Sequence, residues 1–206
     1  MKPFLIRADY LLILAAVLVL GCSSKPAAIE VPLYDPGAFA SSLLDRCDDD
    51  RDGAISKQEA EKSPGLLSAW RRYDASNDGT ISREELESRA QAWLDENTGL
   101  ASISCIVDLG GQQLDDVSVK LVPDASLATV VEPAVAVSRS TRPSFFSLPA
   151  ELRSASHKNL SGMKYGLYRV EVSHPVLQLA PSPLSLGVDI SKLDQSAPIV
   201  IRVDKK

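Results

Sequence analysis

Hydrophobic positions follow one period in the first half of the chain and another in the second. Phe39, Leu43, Leu44 and Cys47 recur at the i, i+4, i+5, i+8 spacing of an amphipathic helix. A short helical piece after Glu59 ends at Ser63-Pro64-Gly65. Leu66, Leu67, Trp70 and Tyr73 make a second stripe. Leu86, Ala90, Trp93 and Leu94 make a third, longer one, with Gly99 expected as its C-cap. From Leu100 the spacing becomes alternation: Ile103, Cys105, Val107 and Leu109, then Val117, Val119 and Leu121. "LATVVEPAVAVS", "KYGLYRVEVSH" and "PIVIRVD" follow, separated by Gly-Gly, Pro-Asp, Arg-Pro and Ser-Gly turn signals. The pattern predicts an α+β multidomain chain, helical over 37–98 and an all-β sandwich over 100–206.

The helices lead into and out of two acidic runs. "DDDRDGAISKQE" spans Asp48–Glu59, and "DASNDGTISREE" spans Asp74–Glu85, starting 26 residues later. A dication such as Ca²⁺ takes six to eight oxygens, and a twelve-residue loop supplies them from positions 1, 3, 5, 7, 9 and 12, with glycine turning the chain at 6. In the first run these positions hold Asp48, Asp50, Asp52, Ala54 (through its carbonyl), Ser56 and Glu59, with Gly53 at the turn. In the second they hold Asp74, Ser76, Asp78, Thr80 (carbonyl), Ser82 and Glu85, with Gly79 at the turn. Position 8 is isoleucine twice, Ile55 and Ile81. A solvated acidic turn without an ion would leave the carboxylates converging with no counter-charge, which like-charge repulsion opposes.

These runs resemble an EF-hand pair, which implies two bound Ca²⁺ ions and a short β-bridge through Ile55 and Ile81. Dockerin repeats also duplicate a Ca²⁺ loop, but they usually close with Asp and lack a leading helix. Only Ala60–Tyr73 separates the loops, and Pro64-Gly65 interrupts that stretch. A pair shortened in this way is less able to swing open than a full sensor pair. The first loop carries four acidic ligands and the second three, Ser76 being neutral, so the first is expected to bind more tightly.

The N-terminus changes the picture of where the protein works. "MKPFLIRADYLLILAAVLVLGC" has a charged start, an apolar stretch and small residues before Cys22, the layout of a secretory signal. Tyr10–Ser24 is 15 residues without charge, short of the ~20 that a spanning helix needs. Val19-Leu20-Gly21-Cys22 resembles the lipobox of bacterial lipoproteins, which implies cleavage after residue 21 and lipid on Cys22. The alternative is an uncleaved N-terminal anchor with an incidental cysteine. Residues 22–36 lack any period and read as a tether. Cys47 and Cys105 remain: an exported chain can join them in a disulfide, and both also read as buried apolar thiols.

Charge and motif content narrow the function. The 206-residue chain has a net charge of −5 and no basic stripe, which argues against nucleic acid as a partner. It has two histidines, His157 and His174, and no HExxH, GxSxG, P-loop or CxxC. Asp115, Asp116, Asp189 and Asp194 read as turn residues, so no enzyme is expected. "LDDVSV" (114–119) and "YGLYRVEV" (165–172) resemble the transthyretin-like or carboxypeptidase-regulatory-like sandwich of exported bacterial proteins. That resemblance implies an interaction module without an active site. The expected whole is an exported, lipid-anchored, calcium-binding protein of the periplasm or cell surface. Its ion stabilises a module facing a cell-envelope protein or polysaccharide. The alternative is a calcium-responsive sensor that opens to dock a partner.

Overall fold

A computed structural model describes residues 31–152 and 161–206, a mixed arrangement of helices and sheets. The signal peptide, Cys22, most of the tether and His157 lie outside the described residues. Among the described residues no helix is long and apolar enough to cross a membrane.

Helix α1 spans Pro36–Cys47. Asp35 caps it by accepting from the Ala38 N–H at 2.9 Å, and Pro36 sits in the first turn, where its missing N–H costs nothing. Its stripe, Phe39, Ala40, Leu43, Leu44 and Cys47, is buried. After the first acidic run comes a 3₁₀ turn, Glu59–Lys62. Pro64 then opens a helix, α2 (Pro64–Ser68), by taking its first position. The stripe through Leu66 and Tyr73 does not form one helix. It breaks at Ala69 (φ −96°, ψ 12°), and a single turn, α3 (Trp70–Tyr73), enters the second acidic run. The two pieces face different partners: α2 lies on one sheet of the second half and α3 against the long helix α4 (Arg83–Asp95). Helix α4 opens with a capping box, Ser82 with Glu85. It ends at Glu96, and Asn97 (φ 47°) takes the left-handed position expected of Gly99. Asparagine tolerates that conformation, so the helix stops two residues earlier.

Strands β1 (Ala54–Ser56) and β2 (Thr80–Ser82) pair antiparallel, one from each acidic run. The second half of the chain carries β3 (Ser104–Leu109), β4 (Gln112–Gln113), β5 (Ser118–Pro123), β6 (Ala134–Val137), β7 (Ser144–Phe145), β8 (Gly166–Ser173), β9 (Leu179–Pro181), β10 (Gly187–Ile190) and β11 (Ile199–Lys205). One sheet has the order β10-β8-β5-β6. The other has β4-β3-β11-β9, with β7 pairing β3. Strands β3 and β11, the first and last of the main ones, run parallel. A 3₁₀ turn, Ala125–Leu127, runs into "LATVVEP", which is turn and irregular chain rather than strand, and only the "AVAV" that follows is extended.

Alternate positions of the strands enter one continuous core with the helices. Val119, Leu121, Val170, Ile201, Val203, Cys105 and Val107 are buried in it, together with Phe39, Leu43 and Trp93. Cys47 and Cys105 are both buried free thiols. Burial pushes the Cys105 thiol up to about 12.

The helical part sits on one end of the first sheet. Leu167 and Asp189 are register partners on β8 and β10, and both are buried. A Cβ on Gly65 would stand 2.8 Å from the Leu167 side chain, and one on Gly187 would stand 2.3 Å from the Gly65 nitrogen. The start of α2 therefore lies main chain to main chain on β10. Ser68 Oγ donates to the Gly187 carbonyl across the same contact. Asp189 is thus not a turn residue, because α2 and its neighbours cover the strand face it occupies. Arg89 and Arg72 ion-pair with its carboxylate, and Arg72 also pairs with Asp194 at 2.9 Å.

A second carboxylate, Asp124, ties the other side. Arg46 Nη2, at the end of α1, donates to both its oxygens at 2.7 and 2.9 Å. Ser63 Oγ donates at 2.9 Å and the Ser126 N–H at 3.0 Å. One side chain so joins α1, the start of α2 and the end of β5.

Candidate metal centre

The two acidic loops have the same backbone. The fourth position is left-handed in both, Arg51 (φ 61°) and Asn77 (φ 58°). The sixth is a glycine at positive φ in both, Gly53 (φ 91°) and Gly79 (φ 90°). A Cβ at either glycine would meet nothing within 4 Å, so conformation and not space requires glycine there. Ile55 and Ile81 are register partners in β1–β2 and are fully buried, so the ladder joins the loops back to back.

The hydrogen bonds accepted at the first, third and fifth positions correspond between the loops. In the first, Asp48 Oδ2 accepts from the Gly53 N–H (3.0 Å), Asp50 Oδ1 from Asp52 N–H (3.2 Å) and Asp52 Oδ1 from Ala54 N–H (2.9 Å). In the second, Asp74 Oδ2 accepts from the Gly79 N–H (3.3 Å), Ser76 Oγ from Asp78 N–H (3.4 Å) and Asp78 Oδ1 from Thr80 N–H (2.9 Å). The closing glutamates fold back over their loops. Glu59 Oε1 accepts from the Asp49 N–H (2.7 Å), and its Oε2 from the Ser56 N–H (2.8 Å) and hydroxyl (2.7 Å). Glu85 Oε1 accepts from the Ser76 N–H (3.0 Å) and Oε2 from the Ser82 N–H (2.9 Å). Each carboxylate is thereby held by the chain that it faces.

Charge accumulates in the first loop. Oxygens of Asp48, Asp50 and Asp52 all lie within 4.8 Å of one another. Asp48 Oδ1 is buried and takes no hydrogen bond. The Asp52 N–H pulls the Asp50 carboxyl down, but desolvation and the charges of Asp52, Glu59 and Asp48 prevail, and it lies above its ordinary value. Glu59 is pulled to about 2 by the Ser56 N–H and hydroxyl. Burial works to raise Glu85, and the N–H groups of Ser76 and Ser82 outweigh it. Converging carboxylates with an orphaned buried oxygen fit a hard dication, which prefers oxygen ligands. In the second loop Ser76 stands where a third carboxylate would be, and the density of charge is lower.

Two residues around the loops were not legible as site residues. Asp49 lends its N–H to Glu59, and its carboxylate pairs with Lys62 on the 3₁₀ turn. Trp70 Nε1 donates to Asp74 Oδ2 at 3.1 Å. Its place four residues before Asp74 was a usable signal, because i and i+4 share a helix face. His174, at the end of β8, has a local role: its Nδ1 accepts the N–H groups of Val176 and Leu177.

A family model described as EF hand matches residues 71–88, the second loop with the end of α3 and the start of α4. No curated protein and no solved structure matches the chain.

Proposed function

We propose that the protein binds two Ca²⁺ ions, one in each loop of an EF-hand pair, and that the ions hold the helical part in shape. The observation that carries this is the convergence of Asp48, Asp50 and Asp52 around a buried, unpartnered oxygen. The family match over the second loop and the repeat of the same backbone in the first support it. The first ion would take Asp48, Asp50, Asp52, the Ala54 carbonyl, Ser56 and Glu59. The second would take Asp74, Ser76, Asp78, the Thr80 carbonyl, Ser82 and Glu85. Bound Ca²⁺ supplies positive charge that ties the loop oxygens together.

A structural role fits better than a sensor's. Opening the helices would break the grip of Arg46 on Asp124 and of Arg72 and Arg89 on Asp189. Asp189 lies between Arg72 and Arg89 and serves the contact with the sheet, and the reading proposed is of a calcium-binding interaction module rather than an enzyme. The β-rich half would be a sandwich of the transthyretin-like kind that meets a cell-envelope protein or polysaccharide. Export and lipid on Cys22 rest on residues 1–22 of the sequence.

Calorimetric titration of the full chain in detergent with Ca²⁺, Mg²⁺ present throughout, tests this. Two sites are expected, and a melting temperature that rises with Ca²⁺ without a rise in dye-accessible apolar surface. Each filled site adds about 2.7 kcal/mol at a hundredfold excess over its Kd. Absence of heat and of stabilisation at millimolar Ca²⁺ would overturn the proposal.

A further inference from the structure

Helix α3 is one turn, Trp70–Tyr73. A helix that short does not hold its shape alone, since nucleation is unfavourable and few hydrogen bonds follow it. Tertiary contacts hold this one. Tyr73 is buried to 1% exposure. Arg72 Nη1 donates to the Asp189 carbonyl at 2.8 Å, and its two terminal nitrogens donate to the Asp194 carboxylate at 2.9 Å each. Arg89, on α4, donates to the Asp189 carboxylate. The elements on both sides of the second loop therefore grip β10 and the turn that follows it.

The same turn reaches into the loop. Trp70 Nε1 and the Gly79 N–H both donate to Asp74 Oδ2. With Oδ2 held from two sides, Oδ1 is the oxygen beside Ser76 Oγ (3.4 Å), toward the other ligand positions. The first loop has no such anchor. The residue four before Asp48 is Leu44, apolar and buried in α1, a helix of 12 residues that needs less outside support.

We infer that Trp70 is a positioning residue for ion binding at the second loop, and that α3 links that binding to the docking of the helices on β10. The inference rests on the calcium reading above. The second loop has one carboxylate fewer than the first, and orientation of Asp74 compensates, because a ligand already aimed loses less freedom when the ion arrives. The turn stays in place through Arg72, two residues from Trp70 on the same short helix. Linkage then works in both directions: if docking favours the ion, the ion favours docking by the same factor.

The test is calorimetric titration of the full chain in detergent with Ca²⁺ alone, comparing the parent with Trp70→Phe and Asp194→Asn. Phenylalanine keeps the ring and removes the N–H donor. Asparagine removes the charge that Arg72 holds. Glu59→Gln in each background isolates the second site. Trp70→Phe is expected to weaken the second site by about tenfold, the scale on which losing an outer partner weakens a metal site. Asp194→Asn is expected to weaken the same site by a smaller factor. The first site is unchanged in both, which also reports that the variants fold. The reciprocal effect is read by hydrogen exchange: Ca²⁺ slows exchange in residues 189–195 of the parent, and less so in Trp70→Phe. An unaltered second-site constant in both variants would overturn the inference and leave the calcium reading standing, as would equal weakening of both sites. A parent that binds no Ca²⁺ would remove both.

Discussion

Ile55 and Ile81 face each other as register partners between the two acidic loops, and neither has any exposed surface. They are the middle pair of the three-residue ladder, and both belong to the core. Ile81→Ala is expected to destabilise the ion-free protein by about 2–4 kcal/mol, the cost of a core truncation with its cavity. Urea unfolding in chelator measures it. The same variant should also weaken Ca²⁺ binding in the first loop, since the ladder is shared; an effect confined to the second loop would show that the loops act independently.

Arg51 and Gly53 both hold left-handed backbone. For an L-residue with a side chain that conformation costs about 1–2 kcal/mol. Arg51→Asn is therefore expected to stabilise the protein by roughly 0.5–1 kcal/mol, because asparagine tolerates the conformation that Asn77 already adopts in the second loop. Gly53→Ala should destabilise by about 1–2 kcal/mol although space around it is open. Thermal unfolding of the two variants beside the parent decides both signs.

Asp124 is held by Arg46, Ser63 and Ser126. Asp124→Asn should cost about 2–3 kcal/mol, below the full value for a broken buried pair because Arg46 is partly solvated. The loss depends on pH. Burial works to raise the Asp124 carboxyl, but the Ser126 N–H and the Arg46 charge outweigh it, and it lies below its ordinary 3.8. A carboxyl lowered by folding stabilises the fold above its unfolded value, and that stability disappears as pH falls through the folded value. The gap in unfolding free energy between parent and variant should hold at neutral pH and close as the pH drops below 3.8. A gap that widens on acidification would contradict the sign.

Charge count ranks the two ion sites. Four carboxylates serve the first loop, Asp48, Asp50, Asp52 and Glu59, and three the second, Asp74, Asp78 and Glu85. The first is expected to bind Ca²⁺ about tenfold more tightly. In titrations of Glu59→Gln and Glu85→Gln, the tighter site should vanish in the first variant and the weaker in the second. Equal losses would mean that the anchoring of Asp74 by Trp70 fully offsets the missing charge.

The loops were legible because each position in them is set by residue type: oxygen donors at fixed spacing, glycine where φ is positive, isoleucine where the ladder pairs. Other residues were not, since their roles come from what covers them. Asp189 lies on a short strand, "GVDI", whose outer face an isolated sheet would leave wet. The helices folded over it, α2 with Arg72 of α3 and Arg89 of α4, make that aspartate a buried ion. Trp70 fitted an apolar stripe equally well, and its ring does lie partly in the core. Nothing in the stripe marked the break at Ala69, because the two halves of that segment divide between sheet and helix. Gly99 looked like the natural cap of α4, and Asn97 reached the left-handed position first.

The bare contact of Gly65 with Gly187 limits how this architecture can be reused. A calcium-binding hairpin is commonly imagined as a cassette, carried whole from one host to another. Here the cassette and its host also meet at a point where neither offers a side chain. A new host would need a strand with a glycine at the matching place, and an ordinary residue there would strike the backbone nitrogen of Gly65. A side chain placed at Gly187 would have to part the halves where they now lie backbone to backbone.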